Sequence, residues 1–125
     1  MLIILIERRL QWILEERVNV NNISKGVHMK QKVYNFLKII PKGKVATYAQ
    51  IAEYLGNKNL CRVVGNILHN NPDPIKYPCY KVVNSKGELS KNFGDGGIEI
   101  QKQRLVADGI EVIDYKVDLK RYKMN

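Results

Sequence analysis

The sequence predicts a mainly helical α+β domain, and three observations support that class. The chain has 125 residues, a length that suits one domain with one modest core. Apolar side chains recur at helical spacing in successive stretches from Val33 onward, and two of these stretches are separated only by Gly56-Asn57-Lys58. The β-branched pair Val82-Val83 indicates a short buried strand. Together these features predict a winged helix-turn-helix fold with a small β-hairpin.

Residues 1–28 differ in character from the rest and are predicted to be an appendage of uncertain order beside a domain at 29–125. Leu2 to Leu14 roughly keep helical spacing, whereas Val18 to Gly26 is rich in asparagine, lacks a period and is predicted to be a linker. The apolar run Met1–Ile6 is too short to cross a bilayer, and charges follow it, the reverse of a signal peptide. We therefore expect no membrane partner and a cytoplasmic, nucleoid-associated protein.

The first two helices of the domain have clear boundary signals. A helix is expected from about Met29, and Pro41 to Lys44 ends it. Thr47 is a favourable N-cap for the second helix, which Gly56-Asn57 closes. The apolar faces expected to be buried are Val33, Phe36, Leu37 and Ile40 in the first helix, and Tyr48, Ile51, Ala52 and Leu55 in the second.

A third helix is expected at about Asn59–His69, before a stiff loop that contains Pro72 and Pro74. Because the second and third helices are joined by a tight turn, they form the predicted helix-turn-helix. The residues of the third helix expected to face inward are Leu60, Val63, Val64, Ile67 and Leu68.

The predicted hairpin follows that loop. Strands at Tyr80–Val83 and near Glu88-Leu89 flank a turn at Asn84–Gly87, and this hairpin would be the wing. A last helix is expected at Ile98–Ala107, followed by a weakly alternating tail at 110–125.

Charge narrows the class of partner. The chain has 21 Lys+Arg against 12 Asp+Glu, a formal net charge of +9. This excess is typical of a domain that binds a polyanion, nucleic acid above all, although many basic proteins bind nothing acidic. Two cysteines are too few for a disulfide scaffold, and no spacing typical of metal ligands is present. We expect no metal and no cofactor.

Cys79 lies between a proline and the Val-Val run. Pro78 restricts the backbone path into the cysteine, so the thiol is held in place. A single positioned cysteine in such a chain is a candidate nucleophile. The alternative is a small buried apolar residue, because unpaired cysteine is among the most buried residue types.

Four segments, in order and at compatible spacing, carry a family resemblance: Pro41-Lys42-Gly43-Lys44-Val45-Ala46-Thr47-Tyr48, Arg62-Val63-Val64-Gly65, Asn71-Pro72-Asp73-Pro74 and Pro78-Cys79-Tyr80-Lys81-Val82-Val83. They resemble the DNA-binding domain of the O6-alkylguanine-DNA alkyltransferases, the methylated-DNA–protein-cysteine methyltransferase family, whose signature is Pro-Cys-His-Arg-Val-Val. The resemblance runs from about Met29 to Gly109. Because 28 residues are too few for the family's larger N-terminal domain, the chain is similar to the short members, including the alkyltransferase-like proteins.

The resemblance implies a DNA repair protein that acts once. Such a protein would bind, from the minor groove, duplex DNA that carries O6-alkylguanine. It would flip the base out of the stack and transfer the alkyl group irreversibly to Cys79. Arg62 would enter the gap left by the flipped base, and Tyr48 would contact the phosphate and the base. Asn71 would link the third helix to the active-site loop.

Further site residues follow from the same resemblance. The Val82 carbonyl would read the guanine edge. Lys81 and Phe93 stand at the positions of the family's arginine and pocket tyrosine, and we count both with the DNA-binding residues. Lys30, Lys32, Lys42, Lys44 and Lys58 are candidate phosphate contacts.

The catalytic set implied by the resemblance departs from the family at two positions. In the family a Cys–His–Glu relay removes the thiol proton, whereas Tyr80 and Asp108 stand at the positions of the histidine and the glutamate. A neutral phenol, with an ordinary pKa of ~10, is a poor base, although it can donate a hydrogen bond to a thiolate. Tyr80 could equally be a packing residue beside Tyr77.

Two other functions are compatible with the sequence. One is an alkyltransferase-like damage sensor that binds the lesion without efficient transfer and recruits downstream repair proteins. The other is a winged-helix transcription regulator that reads the major groove with the third helix. That helix has few base-reading side chains apart from Arg62 and Asn66, which weighs against the regulator. We expect the chain to act as a monomer.

Overall fold

The computed structural model describes residues 21–94 and 96–125, with side chains from His28 onward. These residues divide into two units between Lys32 and Val33, and the first contains the start of one helix. The predicted mainly helical α+β class is confirmed, and no helix in the described ranges is long and apolar enough to span a membrane. The elements are α1 (Asn21–Ile39), β1 (Ala46–Thr47), α2 (Tyr48–Tyr54), a 3-10 turn (Lys58–Leu60), α3 (Cys61–His69), a second 3-10 turn (Cys79–Lys81), β2 (Val82–Val83), α4 (Ile98–Ala107) and α5 (Leu119–Tyr122).

Helix α1 begins earlier than the sequence predicts. It starts at Asn21, so the predicted linker at Val18–Gly26 is wrong for residues 21–26. Asparagine and glycine are poor helix formers, but a helix that has nucleated gains one hydrogen bond for each residue added. The rest of that linker and the helical pattern at Leu2–Leu14 lie outside the described residues. The predicted apolar face is confirmed, because its members are all buried: Val33, Phe36 and Leu37 in α1, and Ile40 directly after it.

A capping box starts α2 at the predicted N-cap. Thr47 Oγ1 accepts a hydrogen bond from Gln50 N (3.1 Å), and Gln50 Oε1 accepts one from Thr47 N (2.9 Å). Ile51 and Ala52 are buried, as predicted. The Gln50 amide also donates to Met124 O (2.8 Å), which ties the start of α2 to the C-terminal tail.

The predicted third helix is divided into the 3-10 turn Lys58–Leu60 and α3. Val64, Ile67 and Leu68 are buried, but Val63 is 37% exposed, contrary to the prediction. Each residue rotates the helix by about 100°, which puts Val63 at the edge of the apolar stripe.

The described strands form a parallel sheet instead of the predicted hairpin. Ala46 pairs with Val82, and Thr47 pairs with Val83. The predicted strand is shortened because its first two residues belong to the 3-10 turn Cys79–Lys81. A parallel pair requires a crossover, which α2 and α3 supply here. The sheet thereby places the start of α2 beside the Cys79–Lys81 turn.

The predicted hairpin keeps its turn but its second arm has another partner. Gly87 N donates to Asn84 O (2.9 Å), which closes the turn. The second arm then joins the tail, because Leu89 N donates to Tyr115 O (3.0 Å) and Val117 N donates to Gly87 O (2.8 Å). Gly87 has a φ of +81°, and a Cβ there would lie 2.1 Å from the Val117 oxygen. This crossing therefore requires glycine.

The tail supplies part of the hydrophobic core. Helix α4 has the predicted bounds. Three residues after it, Ile110, Val117 and Tyr122, join a hydrophobic core cluster with Val45, Val83, Leu89 and Leu105. Tyr122 O accepts from Val45 N (2.8 Å), and Met124 N donates to Val45 O (2.8 Å). The weak alternation of the tail did not reveal this role, since its buried side chains are spaced irregularly.

Candidate functional site

A cleft of about 620 Å³ opens at the junction of α2, α3, the Cys79–Lys81 turn and α4. Its wall includes four of the predicted site residues, which are separated in sequence and brought together by the fold. Both polar and apolar residues line it. The cleft is lined by Tyr48, Gly65, Asn66, Leu68, His69, Cys79, Val82, Ser90, Asn92, Phe93, Gly94 and Gln101.

Cys79 is buried on the wall of this cleft, at the start of its 3-10 turn. Its N–H donates to Tyr77 O (2.7 Å), and the Asn71 amide donates to the same oxygen (2.7 Å). Asn71 Oδ1 also accepts from Asp73 N (3.0 Å). Asn71 therefore holds the loop that leads from α3 to Cys79, which is the segment where the sequence motif places it.

Gln101 braces the other side of the turn, and no motif in the sequence predicts this role. Its amide nitrogen donates to Tyr80 O and Val82 O, each at 3.1 Å, and its Oε1 accepts from Ser90 N (2.8 Å). The side chain is 1% exposed. A buried glutamine satisfied on both ends fixes the spacing of the segments it joins. The available signal was a polar residue in phase with the buried positions of α4.

Tyr48 is the first residue of α2 and lies half-buried on the cleft wall. Burial raises the pKa of its hydroxyl, a hydrogen bond with the Ser90 side chain lowers it, and the nearby Cys79 raises it. Tyr48 is therefore a neutral hydrogen-bonding group beside the cysteine at physiological pH. Ser90, which no motif predicted, connects Tyr48 to the Gln101 brace.

Tyr80 faces a different environment from Cys79. Its ring packs against the core cluster that contains Leu105. Burial raises its pKa, the negative charge of Asp108 raises it further, and Arg104 lowers it. A pKa above the ordinary value keeps Tyr80 a neutral phenol at neutral pH, and a neutral phenol does not take up a proton from a thiol.

Asp108 and Lys81 form a buried ion pair with each other. Lys81 Nζ lies 3.1 Å from Asp108 Oδ2, and the two side chains are 5% and 12% exposed. The ammonium also donates to Pro41 O (2.7 Å), and Asp108 Oδ2 accepts from Gly43 N (2.9 Å). Lys81, expected among the DNA contacts, thus faces the protein interior, and Asp108, expected to assist Tyr80, is engaged by a cation.

Arg62 is exposed near the start of α3 and lines a second cavity of about 480 Å³. Tyr48 lies on the walls of both this cavity and the cleft, so the cavity lined by Arg62 and the cleft lined by Cys79 share this residue. Phe93 is buried on the cleft wall, with the Arg104 guanidinium 6.0 Å from its ring centroid.

The candidate phosphate contacts differ in surroundings. Lys30, Lys32 and Lys42 are exposed. Lys44 Nζ donates to Arg121 O (3.1 Å), and Lys58 forms an exposed ion pair with Glu53 (3.5 Å). Exposed pairs of this kind stabilise a fold little, so Lys58 can exchange its partner at small cost.

Comparison with known proteins identifies the family. The family model "6-O-methylguanine DNA methyltransferase, DNA binding domain" matches residues 28–110. The chain is 41% identical over 93 residues to a DNA base-flipping protein of Vibrio parahaemolyticus, covering 74% of this chain and 91% of that protein. It is 38% identical over 94 residues to alkyltransferase-like protein 1 of Schizosaccharomyces pombe, covering 75% and 85%. A methylated-DNA–protein-cysteine methyltransferase of Cricetulus griseus is 35% identical over 81 residues, but only 38% of its length is covered.

Solved structures agree with these relatives. The crystal structure of S. pombe Atl1 in complex with damaged DNA containing O6-carboxymethylguanine superposes with a TM-score of 0.72 at 34% identity, over 78% of this chain and 95% of that chain. Mycobacterium tuberculosis OGT in complex with DNA gives a TM-score of 0.59 at 31% identity, over 64% and 48%. The chain therefore belongs to the family of the 6-O-methylguanine DNA methyltransferase DNA-binding domain.

Proposed function

We propose that this protein binds duplex DNA, takes an O6-alkylated guanine out of the helix into the cleft and transfers the alkyl group to Cys79. The observation that carries the proposal is the place of Cys79, a buried cysteine on the wall of a 620 Å³ cleft that shares Tyr48 with the cavity lined by Arg62. A base must leave the stack to reach such a cysteine. The names of the relatives, which include base flipping and damaged DNA, support this reading.

The chemistry needs no cofactor. The Cys79 thiolate attacks the alkyl carbon, the carbon–sulfur bond forms as the carbon–O6 bond breaks, and the electron pair goes to the guanine oxygen. The proton that leaves the thiol ends on the guanine ring. Val82 O has a second lone pair besides the one that accepts from Gln101, so it is able to meet the base edge.

Transfer is tested by a single-turnover reaction with a duplex that contains O6-methylguanine. We expect mass spectrometry to find one added methyl group on the peptide that contains Cys79 and none in the Cys79→Ala protein. An unmodified Cys79 after complete lesion binding would contradict the transfer step.

Base capture is tested separately with Arg62→Ala. The residue is exposed, so stability should change by about 0.5 kcal/mol or less. With a fluorescent base analogue opposite the lesion, Arg62→Ala should show much weaker flipping than wild type. Arg121→Ala, which changes an exposed arginine on α5, should flip the base like wild type. Equal flipping by both variants would remove Arg62 from this role.

A second candidate is a damage sensor that holds the flipped base without efficient transfer. The observation that favours it is the Lys81–Asp108 pair, because it occupies the carboxylate at the relay position while Tyr80 packs on the core. The sensor predicts equal lesion affinity for wild type and Cys79→Ala, with no adduct on Cys79 in the transfer reaction.

A further inference from the structure

His69 lies on the walls of two cavities that both include Cys79. It is the last residue of α3 and is exposed, and it lines the 620 Å³ cleft. It also lines a smaller cavity of about 220 Å³, whose wall includes Leu68, Asn71, Pro74, Cys79 and Gly94. His69 and Cys79 therefore line the same two cavities.

Gly94 gives the His69 ring its place on this wall. A Cβ at position 94 would lie 3.2 Å from His69 Nδ1 and 3.1 Å from the His69 carbonyl oxygen. The glycine thus permits a closer approach than other residues allow without a shift of the ring or the backbone.

The remaining groups of these two walls are poor proton acceptors. Besides Cys79 and His69, Tyr48 is the titratable side chain among the described residues that line the cavities, and burial raises its pKa. The other polar side chains there are amides and a hydroxyl, which do not take up a proton near neutral pH. Imidazole is the side chain that ordinarily does so. Tyr80, at the relay position, is absent from both walls.

We propose that His69 accepts the proton of the Cys79 thiol, either directly or through water in the shared cavity. The inference rests on the proposed alkyl transfer, and it supplies a base that would generate the Cys79 thiolate. The S–H bond breaks, the proton goes to the imidazole and the electron pair stays on sulfur. After alkyl transfer to sulfur, the imidazolium returns the proton to the released guanine, so the protein ends with an S-alkyl cysteine and a neutral histidine.

The test measures thiol reactivity and needs no DNA. Iodoacetamide is added to wild type and His69→Gln from pH 6 to pH 9.5, and mass spectrometry follows the Cys79 and Cys61 peptides separately. We expect the Cys79 rate at pH 7 to fall about tenfold in the variant and to approach wild type near pH 9, where a thiol with an ordinary pKa of about 8.5 ionises unaided. Cys61 is not on either wall and serves as the internal control, with an unchanged rate.

An identical Cys79 rate at every pH in both proteins would overturn the proposal. Gly94→Ala is a second variant that keeps the imidazole but crowds it, and a smaller fall in the Cys79 rate is expected there. The two hypotheses can fail separately: a wild-type protein that reacts with iodoacetamide through His69 yet gains no methyl group from DNA would reject the transfer and retain the base.

Discussion

At the scale of single residues, the buried Lys81–Asp108 pair joins the Cys79–Lys81 turn to the end of α4. Lys81→Met leaves a carboxylate that is 12% exposed without its cation, so we expect a loss of about 3 kcal/mol in the free energy of unfolding. Urea denaturation of both proteins measures this loss. Lys86→Met, at an exposed lysine, is the matched control and should change stability by about 0.5 kcal/mol or less.

The double variant Lys81→Met/Asp108→Leu removes both charges. It should recover much of the unfolding free energy lost in Lys81→Met, because no charge is left buried alone. A double variant as unstable as Lys81→Met would show that the packing of the lysine stem, and not the unpaired carboxylate, causes the loss.

Substitution of Tyr80 by histidine tests whether a proton relay can form at this position. An imidazole placed there by Tyr80→His would meet Asp108 already bound to Lys81 and to Gly43 N. We therefore expect single-turnover methyl transfer to rise by no more than about tenfold, below the range of about 10² to 10⁴ typical of general-base catalysis. Tyr80→Phe is the control for the loss of the hydroxyl. A hundredfold gain would mean that the relay forms despite the ion pair.

At the scale of secondary-structure elements, α4 sets the width of the cleft through Gln101. Gln101→Leu leaves Tyr80 O, Val82 O and Ser90 N without this partner, so we expect a loss of about 1 to 3 kcal/mol in unfolding free energy. Lesion affinity should fall as well, since the Val82 carbonyl is no longer held. Gln103→Leu, on the exposed side of the same helix, should leave both measurements close to wild type.

The elements also show what sequence alone can predict. Thr47, the face of α1 and the bounds of α4 follow from local periodicity and capping, so they could be predicted. Lys81 and Asp108 are far apart in sequence, and their pairing is created only by folding.

The hairpin predicted for the second arm of the wing, near Leu89, is wrong, because a pairing with the tail satisfies the same short pattern equally well. Cys79 and Asn71 were visible because each stands in a short contiguous motif, whereas Gln101 and His69 have no motif around them.

At the scale of the whole molecule, the net charge of +9 governs association with DNA. Each phosphate neutralised by a lysine or arginine releases counterions, so the logarithm of the affinity should fall linearly with the logarithm of the salt concentration. Fluorescence anisotropy with undamaged duplexes of several sequences measures the slope. We expect steep slopes and similar affinities for all of them. A strong preference for one undamaged sequence would instead support a transcription regulator.

The hydrogen bonds between Val45 and the segment Tyr122–Met124 have a consequence for synthesis. On the ribosome, Val45 emerges long before its partners, and closing so long a loop is entropically costly and slow. Helices α2 and α3 are able to form early from local contacts, but the core cluster stays incomplete until Val117 and Tyr122 have left the exit tunnel. The nascent protein therefore has α2 and α3 before it has the packed core cluster against which Tyr80 lies.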